Sequence, residues 1–190
     1  MHNELLKIGP FTVYGYGLMI AIGIFSAYCL AEYRARKIGL NDDRVFGMTI
    51  WAVIGGILGG KILYYITILP QIVEDPSLLY RDLLEGFVIY GALIGGFIGI
   101  VLYCHIWKMN LLSYLDLALP SVALAQGFGR IGCLLAGCCY GQETDSAFAI
   151  TFHNSAYAPN GVPLIPTQII SSGLDFLHFF ILLYFVKKWK

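Results

Sequence analysis

Charge is what this sequence has least of. Asp, Glu, Lys and Arg make up 13% of its 190 residues, where a soluble domain usually carries about 25%. The 12 basic and 12 acidic residues cancel to a net charge of zero, so no basic excess points to nucleic acid. There is no Gly-rich nucleotide loop, no nucleophile elbow and no metalloprotease helix. The seven Pro and 22 Gly form no low-complexity run, which argues against disorder. Basic residues are also missing at the start: Met1 to Pro10 holds only Lys7, beside Glu4. That is a poor signal-peptide leader, and the long apolar run after it ends in an arginine cluster, so the expectation is an uncleaved first helix. Residues 1–10 are expected to form a short segment on the outer surface.

What the chain does have is apolar surface. Hydrophobic residues reach 58% and the mean hydropathy is +0.72. A helix crossing the hydrocarbon needs about 20 mostly apolar residues. Phe11 to Ala31 carries no charge, and Gly86 to Trp107 none besides His105. Other runs are interrupted only by Lys61, by Arg130, or by Asp175 and His178. The expected fold is therefore all-α, a polytopic transmembrane bundle of about five spans in a single domain, residues 1–190. The spans fall at roughly 11–31, 45–69, 86–107, 114–139 and 167–187, with Pro120 a possible break or kink in the fourth.

The loops suggest an orientation. Arg34, Arg36, Lys37 and Arg44 separate spans one and two, Lys108 follows span three, and Lys187, Lys188 and Lys190 end the chain. The intervening loops differ: Pro70 to Glu85 sets Arg81 against Glu74, Asp75, Asp82 and Glu85, and Tyr140 to Pro166 has no Lys or Arg. Basic residues in alternate loops imply N-terminus out and C-terminus in.

Span two holds Gly55, Gly56, Gly59 and Gly60, and span three Gly91, Gly95, Gly96 and Gly99. Small residues at this spacing let helix backbones approach closely, the ordinary packing device where lipid removes the hydrophobic force. They establish neither a pore nor a dimer.

Arg130 is the sharpest chemical feature. An ionised residue within a span faces protein or water and marks a functional site by default. It lies about 25 Å along span four from Ser113, at 1.5 Å per residue, in the expected outer half. Gly127, Gly129 and Gly132 leave its guanidinium accessible, and that planar fork suits a phosphate. The alternative is a structural arginine paired with an acid or with backbone carbonyls. Tyr16, Tyr90, Gln126 and Gln168 fall at a similar depth, although tyrosines also belong in interfacial belts. Lys61 either snorkels to the interface, pairs with an acid or lines the same cavity. Asp116 and Asp175 need partners that the sequence does not assign. Among the five cysteines, Cys133, Cys138 and Cys139 fall near the end of span four. Cys133 is more than a helical turn from the adjacent pair, and a metal site would want a second ligand cluster. They are read as small residues in a packed helix, with no metal.

Several strings carry a resemblance. Tyr16-Gly17-Leu18-Met19, the GALIGGFIG at 91–99, the QGFGRIGCLLAGCCYG at 126–141 and the PTQ at 166–168 resemble, in order and spacing, the bacterial prolipoprotein diacylglyceryl transferases. The resemblance implies a multi-pass enzyme of the bacterial inner membrane that needs no cofactor. It would move the diacylglyceryl group of phosphatidylglycerol to the lipobox cysteine thiol of a lipoprotein precursor and release glycerol 1-phosphate. Its partners would be phosphatidylglycerol, the precursors' signal peptides and membrane lipid. Arg130 matches the family's essential arginine, Tyr16 its first-span tyrosine and Gly141 its glycine near the headgroup. With these, Arg130, Tyr16 and Tyr90 are the catalytic candidates, and Arg130, Gln126, Gly141 and Gln168 the substrate-binding ones. The pattern departs from the family in places. Tyr90-Gly91-Ala92 stands for His-Gly-Gly, Cys133 for an asparagine, and Ile170-Ser171 for Tyr-Glu. The 190 residues also hold no counterpart of a further C-terminal helix with another arginine. A non-catalytic lipid- or partner-binding protein on the same scaffold is the alternative reading.

Overall fold

The computed structural model of the protein describes residues 4–8, 11–81 and 86–188. Asp82, Glu85 and Lys190, used above for orientation, lie outside the described residues, as do Met1, His2, Asn3, Gly9 and Pro10 of the opening segment. The chain opens with an antiparallel hairpin, β1 (Glu4–Ile8) and β2 (Phe11–Tyr14). It continues through α1 (Gly15–Lys37), α2 (Asp43–Thr67), the short α3 (Leu69–Glu74) and α4 (Leu78–Arg81), α5 (Ile89–Ile106) and α6 (Leu111–Ala136). A loop carrying β3 (Ile150–Thr151) and β4 (Pro163–Leu164) then leads into α7 (Thr167–Lys188).

Five of these helices, α1, α2, α5, α6 and α7, are long and apolar enough to cross a membrane. The residues they leave exposed include Phe25, Ile54, Ile94 and Phe180. Such side chains suit lipid, because the bilayer core cannot hydrogen-bond. This is the expected five-span helical architecture. The first span starts later than residue 11, because Phe11–Tyr14 pairs with β1 instead of entering the helix. It also ends later, so Arg34, Arg36 and Lys37 belong to α1 and not to a loop. Helix α6 runs unbroken through Pro120.

The described chain sorts into two compact units, residues 35–115 and residues 1–34 with 116–190. In the first of these, α2 and α5 pack through their glycines. A Cβ on Gly59 would stand 2.8 Å from the Gly95 Cα, and one on Gly95 would stand 2.9 Å from the Gly59 Cα. No larger residue fits that approach without moving a backbone. At one end of the pair, Tyr103 and Trp107 rings lie 4.1 Å apart beside Trp51, with the Arg44 guanidinium 5.8 Å from the Trp107 ring. At the other end, the Lys61 ammonium lies 5.0, 4.8 and 5.4 Å from the rings of Tyr64, Tyr65 and Phe87. It also donates a long 3.5 Å bond to the Gly86 carbonyl. An aromatic cage of this kind is favourable for an ammonium removed from bulk water.

The other unit joins α1, α6 and α7. Pro120 has no N–H, so the Asp116 carbonyl one turn earlier loses its helical donor. Arg34 of α1 supplies the replacement: Nη2 donates to the Asp116 carbonyl at 3.1 Å and Nη1 to the Leu117 carbonyl at 3.3 Å. Arg34→Met is expected to lower stability by about 1–3 kcal/mol, the cost of an unsatisfied carbonyl. Unfolding in micelles measures this. Adding Pro120→Ala, which restores the helical donor, should recover part of the loss in the double variant. On the loop between α6 and α7, Phe152, Ala158 and Leu164 form a small core with Leu134, Ile150 and Val162 packed against it.

Candidate functional site

The site lies in the second of these units, at the beginnings of α1 and α7 and the end of α6. Its geometry follows from how α6 stops. Gly137 sits at φ +75°, the left-handed conformation that ends many helices. The Cys138 N–H then bonds the Cys133 carbonyl at 3.1 Å, and the Gly137 N–H bonds the Leu134 carbonyl at 3.2 Å. This pair of bonds is a Schellman cap, which folds the chain back over the last turn. It brings the Cys138 side chain beside that of Cys133. The three sulfur atoms of Cys133, Cys138 and Cys139 lie within 4.8 Å of one another. Along a continuing helix Cys133 would stand apart from the pair, and the turn at Gly137 is what removes that separation. Gly137, directly after the apolar run, was the available signal.

Helix α7 clamps this turn. Thr167 Oγ1 donates to the Cys139 carbonyl at 2.7 Å, and Gln168 Nε2 to the Cys138 carbonyl at 2.8 Å. Gln168 is 1% exposed, and its Oε1 has no hydrogen-bond partner among the described residues. Burial and the neighbouring thiols push the Cys138 thiol up to about 12.

Arg130 lies three residues before Cys133 and is half-buried. It interacts electrostatically with Tyr16, Cys133 and Asp175, yet makes no ion pair or hydrogen bond with any described residue. Tyr16 is held close by Gly132, where a Cβ would stand 3.2 Å from the Tyr16 ring. The cysteines act on Tyr16 as well. Asp175 keeps its Oδ2 buried without a hydrogen bond to any described residue. It completes a polar stripe on α7 with Gln168 and Ser172, at i, i+4 and i+7. The Ser172 hydroxyl donates to the Gly127 carbonyl at 3.0 Å, which turns that stripe toward α6. Asp175 was not assigned from sequence, although the stripe was readable there.

The remaining candidates are placed differently. Gln126 is exposed one turn before Arg130, on the same side of α6. Gly141 donates to the Ile165 carbonyl at 3.2 Å, and a Cβ there would stand 2.7 Å from that oxygen. The glycine is thus explained by close packing of the loop against the start of α7. Tyr90 belongs to the unit of α2 and α5, in the first turn of α5, and is 70% exposed. The site therefore offers a guanidinium whose donors no described residue uses, a phenol beside it, and a cluster of thiols: groups suited to an anion and to sulfur chemistry.

A family model described as prolipoprotein diacylglyceryl transferase matches residues 3–190. Similar proteins include the phosphatidylglycerol–prolipoprotein diacylglyceryl transferase of Clostridium tetani, 52% identical over 188 residues, which cover 99% of this chain and 75% of that protein. Transferase 2 of Clostridium perfringens is 54% identical over 190 residues, 100% of this chain and 74% of its own length. A Dehalococcoides mccartyi relative of the same name is 34% identical over 186 residues, 97% of this chain and 71% of its own. The match runs through both units and includes the glycine-flanked arginine and its cysteine turn, so the chain is a member of the prolipoprotein diacylglyceryl transferase family.

Proposed function

We propose that this protein transfers the diacylglyceryl group of phosphatidylglycerol to the lipobox cysteine thiol of lipoprotein precursors, working from the outer leaflet of the bacterial inner membrane. The observation that carries the reading is Arg130. A half-buried guanidinium on a spanning helix, hydrogen-bonded to none of the described residues, needs an anion to complete it. The phosphate of phosphatidylglycerol fits the fork. As the carbon–oxygen bond breaks, charge grows on the departing glycerol phosphate, and a donor aimed there favours the transition state. Tyr16 supplies a second donor beside Arg130. Asp175 steadies the guanidinium electrostatically without consuming its donors. Gln126 lies one turn away on the same helix, for the headgroup or its glycerol. Gln168 and Gly141 shape the turn that borders the site. Tyr90 stands where the family usually has a histidine. Without that imidazole, the acceptor thiol needs another means of losing its proton.

The test is transfer of labelled diacylglycerol from phosphatidylglycerol to a lipobox peptide by the purified protein. The expected product is the thioether peptide with release of glycerol phosphate. Binding of phosphatidylglycerol without product at any pH would favour the non-catalytic lipid-binding reading. The orientation carries its own expectation. A reporter fused in the loop between α1 and α2 should read cytoplasmic, and one inserted between residues 145 and 160 should read external. The reverse pattern would remove the outer-leaflet placement.

A further inference from the structure

We propose that Cys133, Cys138 and Cys139 form a three-thiolate site for a zinc-class divalent cation, whose open fourth position receives the acceptor thiol as thiolate. The role assigned to the fourth position rests on the transferase reading above; the metal site itself does not.

Three observations carry it. The sulfurs are already within 4.8 Å of one another. Tetrahedral zinc with bonds of about 2.3 Å places its sulfurs about 3.8 Å apart, so no separation has to close by more than about 1 Å. The backbone beneath them is fixed from both sides. The Schellman cap sets Cys138 over Cys133, and Thr167 and Gln168 hold the carbonyls of Cys139 and Cys138. Among the described residues, the group contains no fourth His, Cys, Asp or Glu. Three protein ligands with a vacant position is the arrangement of catalytic zinc, whereas structural zinc is closed by four. Cys139 is exposed, so the vacant side is reachable.

A divalent cation there would hold its ligands as thiolates, because a coordinated thiol is deprotonated outright. A zinc ion with three thiolates is net negative, and Arg130 lies close enough to Cys133 to offset it. The acceptor thiol would lose its proton to water on binding. Its sulfur would then attack the diacylglyceryl carbon that carries the phosphate ester. The carbon–sulfur bond forms as the carbon–oxygen bond breaks, and the electron pair leaves on the glycerol phosphate beside Arg130. No oxidant or reductant is required. The cluster thus supplies a route to the acceptor thiolate that needs no histidine.

The experiment measures metal apart from turnover. The protein is purified without chelator, its zinc is counted, and the metal-stripped form is titrated with cobalt(II), whose sulfur charge-transfer absorption reports thiolate ligands. One equivalent per chain, lost in Cys138→Ser, is expected. A lipobox peptide should change the cobalt spectrum, and the same peptide with serine for cysteine should not. Thiol counting of the wild type guards against misfolded variants. A disulfide among the three cysteines, or no stoichiometric metal after reconstitution, would overturn the site. Metal bound with a spectrum indifferent to the peptide would overturn the acceptor role. Full transfer by the stripped protein would also overturn that role and leave the transferase reading standing. A loaded, peptide-binding site with no transfer would instead sink the transferase reading, and the acceptor role with it, and leave the metal site standing. In the supporting case, the rate of the loaded protein is already at its plateau below the free thiol's pKa of about 8.5.

Discussion

Arg130→Ala is expected to lower the transfer rate by on the order of 10²- to 10³-fold, the usual loss when a preorganised donor to a developing anion is removed. The guanidinium is half-buried and leaves its donors unused by the described residues, so the truncation should cost little folding energy. Unfolding midpoints in micelles should therefore change far less than the rate. Arg130→Lys separates charge from shape. A lysine keeps the cation but not the planar pair of donors, so it should fall between wild type and alanine. Asp175→Asn keeps the stripe on α7 polar while removing a charge that acts on Arg130. A full rate in Arg130→Ala would show that the phosphate is held elsewhere.

The largest structural effect is expected at Gly95. A methyl group there would stand 2.9 Å from the Gly59 Cα, a backbone atom that cannot swing aside. Gly95→Ala should cost about 1–3 kcal/mol, the range for overpacked interiors, and Gly95→Leu should separate α2 from α5. Gly173 is the control. Nothing lies within 4 Å of a Cβ built on it, and it sits within α7, where alanine is the better helix former. Gly173→Ala should be neutral or stabilising. The comparison is made on thermal unfolding of the three variants in one detergent. Equal midpoints for Gly95→Ala and wild type would mean that the two helices do not depend on this approach.

Much of this architecture was legible because the bilayer imposes one length on every span. The five apolar runs became five helices, and the paired glycines of spans two and three became one helix contact. Their edges were less legible. Phe11–Tyr14 is as apolar as a helix start, and its pairing with Glu4–Ile8 depends on partners that hydropathy does not register. Arg34 counted as a loop charge because its partner, a carbonyl freed by Pro120, is a backbone group without a sequence signature at position 116. Within the site, Arg130 and Tyr16 were visible as polar residues where lipid should be. The cysteine trio was hidden by assuming that α6 continued, when a glycine at its end turns the chain back. Asp175 needed only the spacing from Gln168 to be recognised, since two polar residues seven apart share a helix face.

The bond from Arg34 to α6 also bears on how the protein enters the membrane. In synthesis order, α1 is made well before α6. When α6 arrives, proline has left it with a carbonyl that hydrocarbon cannot satisfy. Its donor waits on a helix already in place. Helix α6 is thus a segment whose residence in lipid is conditional: it is complete only against α1. A chain deprived of α1 should hold α6 at the translocation machinery or lose it to proteolysis, even though α6 alone is long and apolar enough to insert.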